Sequence, residues 1–143
     1  MILIDVNLLL YAYDSSSNEH LTAKIWWEEV LSAAEIVGLP WHTILGFIRI
    51  STNHRILEQP FSLQQATDIV DSWLSLPMVK LVGPDINHWQ RFKVLLVNTQ
   101  SPANYVPDAH LATLAIEYGA TLCSTDRDFA RFPGLEWCNP LNT

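Results

Sequence analysis

Five short apolar runs alternate with helix-like segments along the chain, and this alternation restricts the possible folds more than any other feature. The runs are ILIDV at 2–6, IVGLP at 36–40, VKLV at 79–82, ATLCST at 120–125 and LEWCN at 135–139. Short strands alternating with helices are typical of βαβ units. We therefore predict an α/β protein with a mostly parallel sheet and helices on both faces.

The segments between the runs have the spacing and end signals of helices. We predict helices at 8–14, 19–35, 41–57, 61–76, 85–98 and 108–119. Asn7 and Ser62 are predicted to cap the first and fourth of these helices, and Gly119 to end the last.

Length and composition indicate one domain, residues 1–143. Apolar residues make up 49% of the chain and charged residues 16%, which is typical of a folded domain of this size. Asp5 and Asn7 interrupt the apolar N-terminal segment, a pattern that disfavours a signal peptide or membrane span. We expect a cytoplasmic protein.

The formal net charge is −7. Nucleic-acid-binding modules usually carry the opposite sign, because phosphate contacts supply much of their affinity. An enzyme whose own acids are covered by divalent cations is compatible with this charge, and a basic protein segment is a natural partner for it.

Four aspartates fall where a parallel α/β protein collects its chemistry. Asp5 ends the first predicted strand, Asp126 and Asp128 follow the fourth, and Asp108 opens a helix. In such sheets, sites form at the carboxyl ends of the strands. Taken singly, Asp108 and Asp126 are explained by helix capping and Asp128 by solvent exposure. Taken together, the four favour a shared site.

Clustered carboxylates raise one another's pKa values unless a cation neutralises them. Because only oxygen ligands are available in this set, the expected ion is Mg²⁺ or Mn²⁺. Such an ion also accepts phosphate oxygens, so the acidic charge and a nucleic-acid substrate are compatible.

The stretches LIDVNLLLYAYD, LPWHTILGFIRISTNHRI and DAHLATLAIEYGATLCSTDRDFARFPGLEWCNPL together resemble PIN-domain proteins, specifically the VapC-type toxins of toxin–antitoxin pairs. The resemblance implies a three-layer α/β/α sandwich and a Mg²⁺- or Mn²⁺-dependent ribonuclease. It also implies inhibition by a cognate antitoxin, and homodimers.

The resemblance assigns roles to individual residues. Asp5, Asp108 and Asp126 match the metal-binding acids, and Asp128 the supporting one. Two polar residues, Asn7 and Thr125, match positions that often line the same pocket.

The mechanism predicted from these residues is hydrolysis of an RNA phosphodiester that leaves a 5′-phosphate, with Asp126 or Asp128 orienting the attacking water. Arg49 and Arg127 are candidates to bind substrate phosphate. For Arg49 a salt bridge to a site acid, and for Arg127 a free surface charge, are equally good interpretations.

One departure from the family pattern concerns the middle helix. Many PIN proteins have a glutamate there, one turn before an arginine, whereas this chain has Gly46 and keeps Arg49. A catalytically weak or inactive binding module with the same fold is therefore the alternative. A phosphatase with an aspartyl nucleophile is a further one, but it requires an acid where this chain has Asn7.

The remaining polar and aromatic side chains give weaker signals. The histidines share no metal-ligand spacing, and most of them are predicted to be caps or surface residues, with His110 pointing away from Asp108. Cys123 is predicted to be a buried thiol, and a bridge to Cys138 stays open. Of Trp26 and Trp27, one is expected inside and one partly exposed, either in simple packing or in an apolar groove with Trp41 and Phe47 for an antitoxin helix.

Overall fold

The computed structural model describes residues 1–142 of the chain. Its strands are β1 (Ile2–Ile4), β2 (Val37–Pro40), β3 (Val79–Val82), β4 (Thr121–Cys123) and β5 (Glu136–Cys138). Its α-helices are α1 (Val6–Tyr13), α2 (His20–Ser32), α3 (Trp41–Ser51), α4 (Leu63–Leu74), α5 (His88–Thr99) and α6 (Val106–Glu117). The predicted domain boundary at residue 143 lies outside the described residues.

The strands form one parallel sheet in the order β3-β2-β1-β4-β5. The first strand is thus central, with β2 on one side and β4 on the other. Ile2 pairs with both Val37 and Thr121, and Ile4 pairs with Cys123. The predicted parallel α/β fold is confirmed.

Apolar side chains cover both faces of the sheet. Successive residues of a strand point to opposite faces, and in β1 the fully buried Ile4 joins one core cluster while Leu3 joins the other. The first cluster includes Trp27, Phe47 and Trp73 from α2, α3 and α4, and the second includes Leu111 from α6. This is the predicted three-layer α/β/α sandwich.

The ends of α1 and α3 differ from the sequence prediction. Asp5, in place of Asn7, caps α1, because its side chain accepts a hydrogen bond from the backbone N–H of Val6. The helix α3 ends at Ser51, six residues before the predicted end at Leu57. There the Asn53 side chain accepts a hydrogen bond from the Arg55 N–H, a turn that competes with continued helix.

Two predicted helix ends are confirmed. Ser62 caps α4, and a reciprocal hydrogen bond from its backbone N–H to Gln65 completes a capping box. Gly119 follows α6 with φ +61°, a left-handed conformation that glycine adopts without steric cost. Among the described residues no helix is long and apolar enough to cross a membrane.

Candidate active site

Asp5 connects the end of β1 to the start of α1. Its Oδ1 accepts a hydrogen bond from the Val6 N–H at 2.8 Å, and its Oδ2 accepts one from the Ser124 hydroxyl at 2.6 Å. Burial raises the pKa of the Asp5 carboxyl, although both hydrogen bonds oppose that shift. The position therefore disfavours a bare negative charge and would favour a cation beside it.

Ser124 joins three residues of this edge of the sheet. Its fully buried hydroxyl donates to Asp5 and accepts hydrogen bonds from the Asn7 side-chain amide at 3.3 Å and the Asp126 N–H at 3.0 Å. The Asn7 Oδ1 atom is also buried, and no group within residues 1–142 donates a hydrogen bond to it. A buried oxygen without a donor is available to a cation or to its water.

Asp126 and Asp128 lie on the turn that follows β4. The Asp126 side chain accepts a hydrogen bond from the Asp128 N–H at 2.9 Å and so caps a short 3₁₀ helix, Arg127–Arg131. Asp126 therefore caps this short helix and also lies near the other acids, so the two interpretations do not exclude each other. Its backbone bonds to Ser124 while its carboxylate charge acts on Asp5 and Asp108.

Asp108 lies in the first turn of α6. Burial, followed by the negative charges of Asp126, Asp5 and Asp128, raises the pKa of Asp108 to about 6. The electrostatic influence of all three acids on one carboxyl shows that the four aspartates share one region. We call Asp5, Asp108, Asp126 and Asp128 the acidic site.

The acidic site is not a closed metal-ligand cluster in this structure. Within residues 1–142 no three His, Cys, Asp or Glu side chains are close enough to hold an ion as they stand. The donor chemistry nevertheless fits a hard cation, because the set offers four carboxylates, of which Asp5 and Asp108 have raised pKa values, and the buried Asn7 oxygen.

Tyr105 and Arg131 adjoin the acidic site, and neither residue belongs to a motif that sequence reasoning recognised. The Arg131 guanidinium lies 4.2 Å above the centre of the Tyr105 ring, a cation–π contact. A hydrogen bond to Asp128 is the main cause that raises the pKa of the Tyr105 hydroxyl. The positive charge of Arg131 lowers the pKa of Asp108 and partly offsets the repulsion among the acids.

The predicted substrate-binding residues lie in different surroundings. Thr125 and Arg127 line an open cavity of about 430 Å³ together with Trp137 and Cys138. Arg49 is exposed in the last turn of α3. Neither arginine pairs with a carboxylate among the described residues, so the salt bridge considered for Arg49 does not occur there.

Gly46 lies beside the first turn of α1. A Cβ atom at this position would be 3.3 Å from Cγ2 of Val6, the residue that follows Asp5. The position that carries a glutamate in many PIN proteins is therefore next to the acidic site in this chain also, but it supplies no carboxylate.

Three histidines, His42, His88 and His110, form a partly buried arrangement that sequence reasoning missed. The Nδ1 atom of His88 is 2.9 Å from a Glu117 carboxylate oxygen, and its Nε2 atom is 2.8 Å from Nδ1 of His110. The His42 ring follows at 6.0 Å from that of His110. Burial, followed by the charges of His88 and His42, lowers the pKa of His110. The prediction that most histidines are caps or surface residues is wrong for His88, which is buried.

The tryptophan pair is divided as predicted, but Phe47 does not belong to a surface groove. Trp27 is 2% exposed and packs edge-on against Trp73 at 5.7 Å, while Trp26 is partly exposed. Phe47 is fully buried and cannot line a surface groove, whereas Trp41 is 53% exposed beside Gly83. The proposed groove of Trp26 or Trp27 with Trp41 and Phe47 is therefore wrong in its composition.

The fold and the site define an α/β protein whose acidic and polar site residues lie at the carboxyl ends of parallel strands. A family model described as PIN domain matches residues 2–135. The chain belongs to the PIN-domain family, in its VapC group. It is 39% identical over 142 residues to VapC ribonuclease Mb2897 of Mycobacterium bovis, covering 99% of this chain and 97% of that protein. It is 37% identical over 140 residues to ribonuclease VapC37 of Mycobacterium tuberculosis, covering 98% and 97%.

Solved structures show the same fold. The VapBC2 complex from Rickettsia felis, bound to a promoter DNA fragment, matches with a TM-score of 0.70 and 17% identity, over 97% of this chain and 98% of that one. VapC20 of Mycobacterium tuberculosis, described as a sarcin-ricin loop cleaving toxin, matches with a TM-score of 0.67 and 17% identity, over 95% and 99%.

Proposed function

We propose that this protein is a ribonuclease toxin that hydrolyses RNA phosphodiester bonds and is neutralised by a cognate antitoxin. The observation that carries the proposal is the acidic site, found in a chain with full-length identity of 37–39% to VapC ribonucleases. An aspartyl-nucleophile phosphatase is disfavoured, because Asn7 is held by Ser124 where a second acid would be needed.

Asp5, Asp108 and Asp126 would hold Mg²⁺ or Mn²⁺ through their carboxylate oxygens. When bound, the ion supplies positive charge that stabilises the ionised acids and polarises the phosphate. Since the carboxylates do not form a closed cluster, water must complete the coordination shell, which is usual for Mg²⁺. The Asn7 Oδ1 atom, buried without a donor within residues 1–142, would accept a hydrogen bond from such a water.

The remaining residues would act on the substrate and on the attacking water. Asp128, which raises the pKa of Tyr105 and is next to Arg127 in the chain, would orient a water and accept its proton. Arg127 and Arg49 carry exposed guanidinium groups that would contact RNA phosphates. Thr125 would contribute a hydroxyl to the same cavity as Arg127.

The test of this function is RNA cleavage by the purified protein with Mn²⁺ and with a chelator. Cleavage should require the ion, and Asp5→Asn should lower the rate about a hundredfold or more, since a ligand and a buried charge are lost together. Asp71→Asn, an exposed acid on α4, is the matched control and should cleave like the wild type. Equal cleavage by the Asp5 and Asp71 variants would contradict the proposal.

The antitoxin partner is supported by charge and by the kind of proteins that share the fold. The net charge of −7 favours a basic partner segment, and solved structures with this fold include a toxin–antitoxin complex from Klebsiella pneumoniae. Coexpression with the small protein encoded beside this gene should yield a complex that cleaves no RNA. Copurification without inhibition would contradict neutralisation.

A homodimer and a cytoplasmic location stay predictions. Light scattering of the protein without its partner tests the first, and fractionation of cells that express it tests the second.

Gly46 favours a second candidate function, a binding module with weak or no catalysis. The site lacks one carboxylate beside Val6, which lowers the negative charge available to an ion. Calorimetry that shows no Mn²⁺ binding to the purified protein would select this candidate over the ribonuclease.

A further inference from the structure

Cys123 and Cys138 face each other on neighbouring strands. They are paired residues of β4 and β5, with their Sγ atoms 3.6 Å apart. Cys123 is buried and Cys138 is exposed, and both are free thiols. The sequence contains only these two cysteines, so an intrachain disulfide has a single possible pairing.

The backbone geometry permits a disulfide. Neighbouring strands lie about 4.8 Å apart, which is within the range of roughly 4.4–6.8 Å between the Cα atoms of bridged cysteines. The sulfur separation of 3.6 Å would have to shorten to about 2.0 Å. Closing the bridge therefore requires the two side chains, and to some extent their strands, to move.

Backbone hydrogen bonds link both cysteines to the acidic site. The Cys123 carbonyl accepts from the Asp5 N–H, and the Cys138 carbonyl accepts from the Ser124 N–H, each at 3.0 Å. The Trp137 indole, adjacent to Cys138, donates to the Ser124 carbonyl at 3.0 Å. A displacement of either strand would thus change the positions of Asp5 and Ser124.

We propose that Cys123 and Cys138 form an oxidation site, at which a hydroperoxide converts the two thiols into an intrachain disulfide that lowers the activity of the acidic site. The effect on activity rests on the ribonuclease function proposed above. The formation of the bridge does not.

The chemistry proceeds in two balanced steps. With hydrogen peroxide as the hydroperoxide, the Cys138 sulfur attacks one oxygen, the O–O bond breaks, and Cys138 sulfenic acid and one water form. The Cys123 sulfur then attacks the Cys138 sulfur, the S–S bond forms, and the hydroxyl group leaves with the Cys123 proton as a second water. The two electrons that reduce hydrogen peroxide come from the two thiols. Cys138 reacts first because it is exposed to a dissolved peroxide, whereas Cys123 is buried.

The bridge is tested by intact-mass analysis. Reduced protein is treated with equimolar hydrogen peroxide and then with an alkylating reagent under denaturing conditions. The wild type should lose two hydrogen atoms and take up no alkyl group. Cys123→Ala should stop at a sulfenic acid that dimedone traps, and Cys138→Ser should keep one alkylatable thiol. Two alkylated thiols, a stable sulfinic acid or a covalent dimer in the wild type would overturn the proposal.

Coupling to the acidic site is tested by amide NMR and by RNA cleavage. The Asp5 and Ser124 amide signals should shift when the wild type is oxidised, whether or not it cleaves RNA, and unchanged signals would overturn the coupling. Cleavage should fall about tenfold, as expected when site groups are displaced by a fraction of an ångström, and a dithiol reductant should restore it. Cys138→Ser should not respond to peroxide. A reduced wild type that cleaves no RNA would contradict the ribonuclease function alone.

Discussion

The hydroxyl of Ser124 donates a hydrogen bond of 2.6 Å to the carboxylate of Asp5, a residue 119 positions away in the chain. The bond joins the ends of β1 and β4, and the same hydroxyl accepts from Asn7 and Asp126. One buried side chain therefore sets the relative positions of two acids and an amide. Four predictions follow from this arrangement and from its surroundings.

Ser124→Ala should destabilise the protein by about 2 kcal/mol, because it leaves the Asp5 carboxylate and the Asn7 amide short of a buried partner. Urea unfolding of the metal-free protein measures this loss. Ser32→Ala removes an exposed hydroxyl that bonds only to the Glu28 carbonyl, and it is the control. Equal losses for the two variants would show that the hydroxyl of Ser124 does not organise the site.

The raised pKa of Asp108 predicts a pH dependence of stability. The folded-state pKa is about 6, above the ordinary value of 3.8, so the folded protein binds this proton more tightly than the unfolded chain does. The favourable contribution is fully present below pH 3.8 and is lost as the pH rises through about 6.

Asp108→Asn should therefore remove this dependence. Without metal, the melting temperature of the wild type relative to Asp108→Asn should fall between about pH 3.5 and about pH 6.5, a range that brackets the two pKa values of 3.8 and about 6. Asp68→Asn, at an exposed site on α4, should not change the profile. A constant difference between wild type and Asp108→Asn across this range would contradict the burial and charge argument.

Glu117→Gln should lower stability by about 2 kcal/mol, because the Glu117 carboxylate accepts from His88 in a largely buried position and is 3.6 Å from Arg91. Thermal unfolding at pH 7 measures this loss. Glu29→Gln on the exposed side of α2 should cost little. If both variants unfold at the same temperature, the contact between Glu117 and His88 does not contribute to stability.

Gly46→Glu should increase the affinity for Mn²⁺ about tenfold, because it adds a carboxylate beside Val6 and the acidic site. Gly46→Gln has nearly the same shape without the charge and separates ligand chemistry from packing. Calorimetric titration of both variants with Mn²⁺ measures the two affinities. Similar affinities for the two would show that position 46 does not reach the ion.

The sequence predicted the elements of the sheet and the four acids because both depend on local pattern. Apolar runs identify buried strands, and Asp5 and Asp126 follow such runs directly. The parallel order of the sheet then brings the carboxyl ends of β1 and β4 together. The roles of the acids in binding metal stay predictions.

The contacts that sequence reasoning missed join residues far apart in the chain. The bond from Ser124 to Asp5 depends on the alignment of β1 with β4, which no local pattern around either residue shows. His88 and His110 are 22 positions apart, on α5 and α6, and no spacing rule connects them. The helix cap at Asp5 was misassigned to Asn7, because both residues are common at caps and the exact end of a strand is not visible in a short apolar run.

The central position of β1 also determines when the acidic site can exist during synthesis. Its partner β4 begins at Thr121, so a nascent chain shorter than this holds Asp5 but neither Ser124 nor Asp126. Pairings between such distant segments form late, because the intervening chain must be closed into a loop first. A ribosome making this protein would therefore be exposed to an assembled acidic site only after nearly the whole chain has been translated.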